Sequence, residues 1–484
     1  MMAKRDLTAS ERRGATNPPS AADQNARAAL EGTAAALAAV AIMAALSAIA
    51  LSHFGIGEDA SVPAVAAAMV TLAVGGSVSL DAGASGMGRA LGSGVQGTLE
   101  LMPLGISLAG AVVFVIAFSL PLRRQGPGPG RLTVRAAAAV GAFTVAITVL
   151  AMLGRGPLRL AELGPWSAAP GGGLRGGRLR DHLGGGGGGG LRDRLGGHGL
   201  RDGLGGGGLR GGLGGDGGQG SGELLRGSAA VQFHADVSSA LANGLVWAAV
   251  VLALGWLVWR RAPLPSGWGW AHRIRPALSA TATVLVTLMS IGTAAGLVLS
   301  VFGENGSLAG GLLLGAATGV LVTLALGIGV PWSASAGGAA AELLPADRIP
   351  DGTLSLASLP TGRPLWILPV GFAMVTLLVC GVLAAARGPS APTGGRLSHA
   401  VAAGGRLGVI VAIAMAVLTI LAAGSMEVGV SLLGTELLGT EVSLHANSAL
   451  AAASGLAGGA VSGFAGSLLW ELFGSTRAAR ALKE

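Results

Sequence analysis

A chain of 484 residues that is 51% hydrophobic and 12% charged, with mean hydropathy +0.65, carries about half the charge of a soluble protein, which excludes an ordinary water-soluble globule. Its net charge of +8 is almost all arginine, since lysine occurs only at Lys4 and Lys483. The arginines stand beside apolar runs, as a membrane topology signal does, so the basic balance gives no reason to expect nucleic acid as a partner. The single Cys380 lies inside an apolar run and excludes an intrachain disulfide or a cysteine metal cluster.

In chain order, residues 1–32 read as a polar cytosolic tail and 33–153 as four membrane helices. Run one covers 33–54, and the acidic pair Glu58 and Asp59 follows it. Run two, 62–80, leads into the small-residue patch Asp81-Ala-Gly-Ala-Ser-Gly-Met-Gly88. Run three is 101–120, the basic loop 121–135 holds Arg123, Arg124, Arg131 and Arg135, and run four is 132–153. Residues 154–230 are dominated by glycine, with a nine-residue echo at Leu191, Leu200 and Leu209. Asp181, Asp193, Asp202 and Asp216 do not keep the calcium-binding nonapeptide pattern, so this region reads as a disordered extracytoplasmic loop. Residues 231–275 read as membrane helix five (241–259) and a basic loop. Residues 276–484 read as runs six to ten (276–302, 308–330, 365–386, 407–424 and 447–470) with a short cytosolic tail.

The ten runs fall into two sets of five. Run seven is followed by Pro331-Trp-Ser-Ala-Ser-Ala-Gly-Gly338 as run two is followed by its patch. Leu365-Trp-Ile-Leu-Pro-Val-Gly371 opens run eight as Glu100-Leu-Met-Pro-Leu-Gly105 opens run three, and His445-Ala-Asn447 precedes run ten as His234-Ala-Asp236 precedes run five. The arginine bias puts both tails and the loops 121–135, 260–275 and 387–406 on one side, yet three runs separate the N-terminal tail from 121–135, and three separate 260–275 from 387–406. The conflict disappears if segments two and seven are re-entrant or broken and return to the side they came from. The fold class expected is therefore an all-α polytopic membrane protein of about ten helical segments in two five-segment pseudo-repeats.

Together with the order of spans, Gly75-Gly-Ser-Val-Ser-Leu-Asp81, Gly329-Val-Pro-Trp-Ser333 and Phe233-His-Ala-Asp236 resemble the streptophobe family of actinobacterial integral membrane proteins. The resemblance covers nearly the whole chain outside the glycine tract, from which it departs. It implies a multi-span plasma-membrane location and no particular activity.

Chemical motifs are sparse. Gly92-Ser-Gly-Val-Gln-Gly97 fits G-x-G-x-x-G without the strand and helix that a dinucleotide site needs, and the histidines are scattered. No catalytic, cofactor-binding or metal-binding residue is assigned. Candidate polar-pathway residues are Ser79, Asp81, Arg89, Ser333 and Ser335, because polar groups at membrane depth mark routes. Two stripes, Gly311/Gly315/Gly319 and Gly455/Gly459/Gly463, are expected to let helices approach closely. The sequence reads as a bacterial plasma-membrane protein with both termini cytoplasmic and the lipid bilayer as its partner. Its function reads as transporter- or channel-like and not enzymatic, with a non-transporting scaffold as the alternative.

Overall fold

The computed structural model describes residues 20–53, 62–83, 94–124, 129–159, 230–259, 269–302, 306–338, 352–358, 366–388, 395–432 and 435–481. Among them are ten helices, one for each apolar run: α1 (Ala21–His53), α2 (Val62–Ala73), α3 (Leu104–Arg124), α4 (Pro129–Leu153), α5 (Val237–Val258), α6 (Gly269–Phe302), α7 (Gly306–Gly327), α8 (Ile367–Arg387), α9 (Arg396–Ala422) and α10 (Ser448–Ala481). All except α2 and α7 are long and apolar enough to cross a membrane. The chain is an α-helical polytopic membrane protein.

To this body the structure adds a sheet that the sequence reading did not anticipate. Its strands are β1 (Val78–Gly83), β2 (Gly94–Leu101), β3 (Arg155–Arg159), β4 (Ala230–Ala235), β5 (Trp332–Gly338), β6 (Gly352–Leu354), β7 (Gly424–Leu432) and β8 (Thr435–Ala446). All pairings are antiparallel, in the order β3-β4-β1-β2-β7-β8-β5-β6. The segment 154–230, read as a disordered loop, therefore begins and ends in strand. Residues 78–83 and 332–338, read as small-residue patches, are strands as well. Their small side chains alternate in and out, and that period of two is what a strand requires.

Three contacts fix the direction of the helices. Glu31 near the start of α1 pairs with Arg135 near the start of α4 at 3.1 Å, so these two helices run in the same direction. Arg275 in α6 donates to the last carbonyls of α5, Leu257 at 2.9 Å, Trp256 at 3.3 Å and Trp259. Arg387 at the end of α8 donates to Ser279 of α6 at 2.6 Å. α4 and α9 lead into strands, and α5 and α10 follow them. The basic helix ends thus lie opposite the sheet. α1 and α6 run toward the sheet, and α2 and α7 also end beside it.

Segment two shows how the return is made. At its far end α4 stops at Gly154, whose carbonyl accepts from the Ala235 N–H at 3.0 Å. Ala68 in the middle of α2 packs on Gly154. The helix then reaches Gly75, whose carbonyl accepts from the Asn243 amide at 2.6 Å, two turns inside α5. The chain climbs back so that the Ser77 carbonyl meets the Asp236 N–H at 3.0 Å. With 12 residues α2 is about 18 Å long, little more than half of a bilayer core. Gly75 has φ of 87°, and it and Gly76 donate to Leu72 at 2.9 Å and Thr71 at 2.9 Å, a glycine-capped helix end. After α7 the turn corresponds: Gly329 has φ of 87°, and it and Val330 donate to Leu326 at 2.9 Å and Ala325 at 2.9 Å.

The two halves of the sheet also correspond. Ser79 pairs with His234 and Ser333 with His445; Val78 pairs with Ala235 and Trp332 with Ala446. Following the pairings from Val78 through Leu99, Met426 and Val442 leads to Ala336, four residues beyond Trp332. Four residues over four strands is the stagger per strand of an eight-stranded barrel with a shear of about 8.

One sheet face is apolar, and its Val78, Phe233, Ala235 and Trp332 pack on the helices. Val78, Phe233 and Ala235 join the core of α1 to α5, which contains Met43, Phe114, Phe143, Ile147 and Trp247. Trp332 joins a second core built on α6 to α10 with Leu324, Leu407 and Met415. In the first core Phe143 stacks on Trp247 at 4.7 Å and on Phe114 at 5.5 Å.

The glycine stripes divide. A Cβ on Gly459 of α10 would lie 2.9 Å from the Gly408 Cα of α9, and one on Gly463 would lie 2.9 Å from the Gly404 Cα. Gly455 is similarly close to Val411 at 3.1 Å. Among the described residues nothing stands within 4 Å of a Cβ built on Gly311, Gly315 or Gly319, so no close helix approach is seen there. That stripe sits on the exposed side of α7, while neighbours such as Ala317 and Leu321 face the core.

Three alanine substitutions separate these roles, read by thermal unfolding in detergent. Gly459→Ala loses roughly 1–3 kcal/mol by overpacking. Gly329→Ala loses roughly 1–2 kcal/mol from its left-handed backbone. Gly315→Ala is neutral or gains up to about 1 kcal/mol of helix propensity. Equal losses at Gly459 and Gly315 would contradict this division.

Candidate functional site

Alternation sends every second strand residue to the sheet face turned away from the helices. In register across the strands this face carries Arg155, His234, Ser79, Thr98, Glu427 and Glu441 in one row. Gln232, Asp81 and Gln96 form a parallel row beside it, and Glu100, Ser425, Ser443 and Ser335 another. All are exposed or half-buried. The opposite face holds Val78, Leu80, Leu99, Phe233, Trp332 and Leu444, so the sheet is amphipathic.

The sequence-selected residues fall into two corresponding places. Ser79 and Asp81 lie on β1, where the Asp81 Oδ2 is 3.4 Å from the Nδ1 of His234, both side chains about half exposed. Ser333 and Ser335 lie at the matching positions of β5. There Ser335 shares a 2.7 Å hydrogen bond with Ser443, and Ser333 stands opposite His445. The carboxylate of the first half is thus replaced by a hydroxyl in the second. These four residues lie on the exposed or half-buried face of the sheet. Arg89 lies outside the described residues. The sequence reading passed over Gln96, Thr98, Gln232 and Ser443 as site residues. The alternation in Ser425-Met-Glu-Val-Gly429 and Glu441-Val-Ser-Leu-His445 was the available signal.

At the join between sheet and membrane, Asp236 caps α5. Its carboxylate accepts from the Ser238 N–H at 3.0 Å, the Ser238 hydroxyl at 2.9 Å and the Ser239 N–H at 3.2 Å. These donors, Ser238 first, hold its carboxyl below the usual carboxylate value. Asn447 does the same for α10, accepting from the Leu450 N–H at 3.0 Å. A second feature of the first join is the Ser77 N–H donating to the Ser239 hydroxyl at 3.2 Å.

Charge within the bundle is confined to the basic end. Arg135, 2% exposed, pairs with Glu31, donates to the Ala117 carbonyl at 3.3 Å and stacks over Phe118 at 4.7 Å. It does not reach out to the helix surface as a long cation beside a membrane commonly does. Hydroxyls buried among the helices mostly bond to their own helix: Ser47 donates to Met43, Thr71 to Ala68, Thr419 to Met415 and Ser462 to Gly459. Trp247 donates to Ser107 at 2.9 Å. Among the described residues no three His, Cys, Asp or Glu side chains converge as a metal site would require.

Comparison with known proteins finds no matching family model, no matching curated protein and no matching solved structure.

Removing the helix cap tests the junction. Asp236→Ala should cost about 1 kcal/mol near neutral pH. Because the folded value is depressed, this contribution is present above the unfolded value and is lost as pH falls through the folded value. The stability gap between wild type and variant should therefore close in acid. A gap that widens on acidification would contradict the cap.

Proposed function

We propose that this chain is a membrane platform: a duplicated helical anchor in a bacterial plasma membrane that presents the polar face of its sheet outside the cell. The observation that carries this reading is the location of Ser79, Asp81, Ser333 and Ser335, which all belong to the water-facing rows of the sheet. An interior filled by Met43, Phe114, Phe143, Ile147 and Trp247, with its hydroxyls tied to their own helices, supports it further. The reading assigns no catalytic role. The basic helix ends and both tails are cytoplasmic in it, from the arginine bias.

The matching halves read as parallel copies, with one orientation toward the membrane. Transport is the second reading. What favours it is the pair of returning segments at Gly75 and Gly329, since paired broken elements line the pathway of many transporters.

Two thiol experiments separate these readings. The native Cys380, 2% exposed between helices, should resist a water-soluble thiol reagent in the folded protein and react only after unfolding. Rapid modification in the native state would favour a water-filled interior and transport. In a Cys380→Ala background, single cysteines at Thr98 and Glu441 should label in intact cells, and those at Thr133 and Ser398 should not. The reverse pattern would put the sheet in the cytoplasm.

A further inference from the structure

The apolar face of the sheet is buried in two places and open between them. Val78 and Phe233 are 4% exposed in the first half, and Trp332 is 1% exposed in the second. On the same face of the strands between, Leu101 is 49% exposed, Met426 41% and Val442 47%. Directly opposed residues share a sheet face, so the register joins these side chains into one strip. Leu101, Gly424, Leu444 and Ala334 form one row across β2, β7, β8 and β5. Leu99, Met426, Val442 and Ala336 form the next. Neither row carries a charge. Single exposed leucines need no account, whereas a joined apolar strip marks a contact surface.

The strip stands at the edge of the membrane. Leu101 comes just before α3, and Gly424 just after α9. Arg406, an exposed charge on α9, marks headgroup level at the basic end. From Arg406 to the helix end at Ala422 the rise is about 24 Å, against about 30 Å for a hydrocarbon core. The core therefore reaches past the helix to the row of Leu101 and Gly424. The row of Met426 and Val442, about 7 Å farther along the strands, falls in the headgroup layer. A stripe of α9 leads up to both rows. Ile413, Val417 and Ile420 are 57%, 47% and 62% exposed, at spacings that share one helix face, and that face ends beside Gly424.

We propose that Leu101, Met426 and Val442 form a lipid-contact surface, on which the central strands lie against the acyl chains of phospholipids in the leaflet next to the sheet. The occupant is lipid because the strip continues the bilayer-facing stripe of α9 at the level where that leaflet ends. The sheet then meets the membrane as an interfacial amphipathic helix does, with Thr98, Glu427 and Glu441 toward water and the apolar rows at the boundary of headgroup and acyl chain. The contact lies on the face opposite the one that the platform reading uses, and so goes beyond that reading.

The test uses the full chain in phosphatidylcholine nanodiscs, in a Cys380→Ala background, with a nitroxide spin label on Met426→Cys, Val442→Cys, Glu427→Cys or Glu441→Cys. Power saturation reads collisions of each label with oxygen, which concentrates in lipid, and with a water-soluble nickel chelate. The oxygen-to-nickel ratio should be severalfold higher at Met426 and Val442 than at Glu427 and Glu441. Equal ratios at all four positions would overturn the proposal, because both sheet faces would then meet the same solvent. Labels at Met426 and Val442 that meet neither collider would also overturn it, because protein would then cover the strip. A second measurement needs no substitution. Phosphatidylcholine with a diazirine on its acyl chain should photolabel the wild-type peptides that contain Met426 and Val442, and labelling confined to the helices would overturn the contact. These readouts do not depend on which side of the membrane the sheet occupies, so this proposal and the platform reading can fail separately.

Discussion

The fold depends on satisfying backbone hydrogen bonds where two helices stop short of crossing. In hydrocarbon an unpaired N–H or C=O is too costly to leave, so a chain can turn back only where protein supplies the partners. At Gly75 those partners are Leu72 and Thr71 for the N–H groups and the Asn243 amide for the carbonyl. From there the Ser77 carbonyl passes to the Asp236 N–H, and the chain is already in the ladder of β1 and β4. The helix end, the turn and the strand form one continuous relay of donors and acceptors. A glycine is required at the turn because φ of 87° is open to few other residues.

The sheet follows from that relay. Strands leave the membrane at α2, α4, α7 and α9 and re-enter at α3, α5 and α10, so seven helix ends are drawn together by one set of ladders. β2 pairs with β7 and joins the halves over eight consecutive residue pairs. The apolar face then closes over the helices, with Phe233 and Val78 beneath one half and Trp332 beneath the other. The polar face is left to water. Glu427 opposite Glu441 in that face is a like-charge pair, which weakens a ladder and is tolerated where water screens it.

Within the bundle, shape does much of the work that charge does at its basic end. Glycines at Gly404, Gly408, Gly459 and Gly463 let α9 and α10 approach until backbone meets backbone. In the first half the corresponding contact of α4 with α5 is made instead with larger side chains, with Ile147 against Gly244 and Phe143 against Trp247. The arginines hold helix ends: Arg275 those of α5, Arg387 the start of α6, and Arg135 the meeting of α1, α3 and α4.

The sequence alone determined the class and the ten helical segments, and it raised a return of segments two and seven as the way to reconcile the arginine bias. Each of these follows from quantities that accumulate along the chain: apolar length against bilayer thickness, and arginine bias from loop to loop. It also paired His234-Ala-Asp236 with His445-Ala-Asn447, which the structure sets at matching strand ends before α5 and α10. The sheet was not legible, because its strands are short, rich in small residues and adjacent to apolar runs that dominate any reading by hydropathy. Ser79, Asp81, Ser333 and Ser335 were therefore read as polar groups at membrane depth, and the structure places them in strands β1 and β5, on the sheet face turned from the helices. The two glycine stripes have the same spacing, but only Gly455/Gly459/Gly463 has a neighbouring helix against it among the described residues. Spacing states that a close approach is sterically possible. Whether a second helix stands there depends on how distant segments pack, and only the tertiary structure decided that.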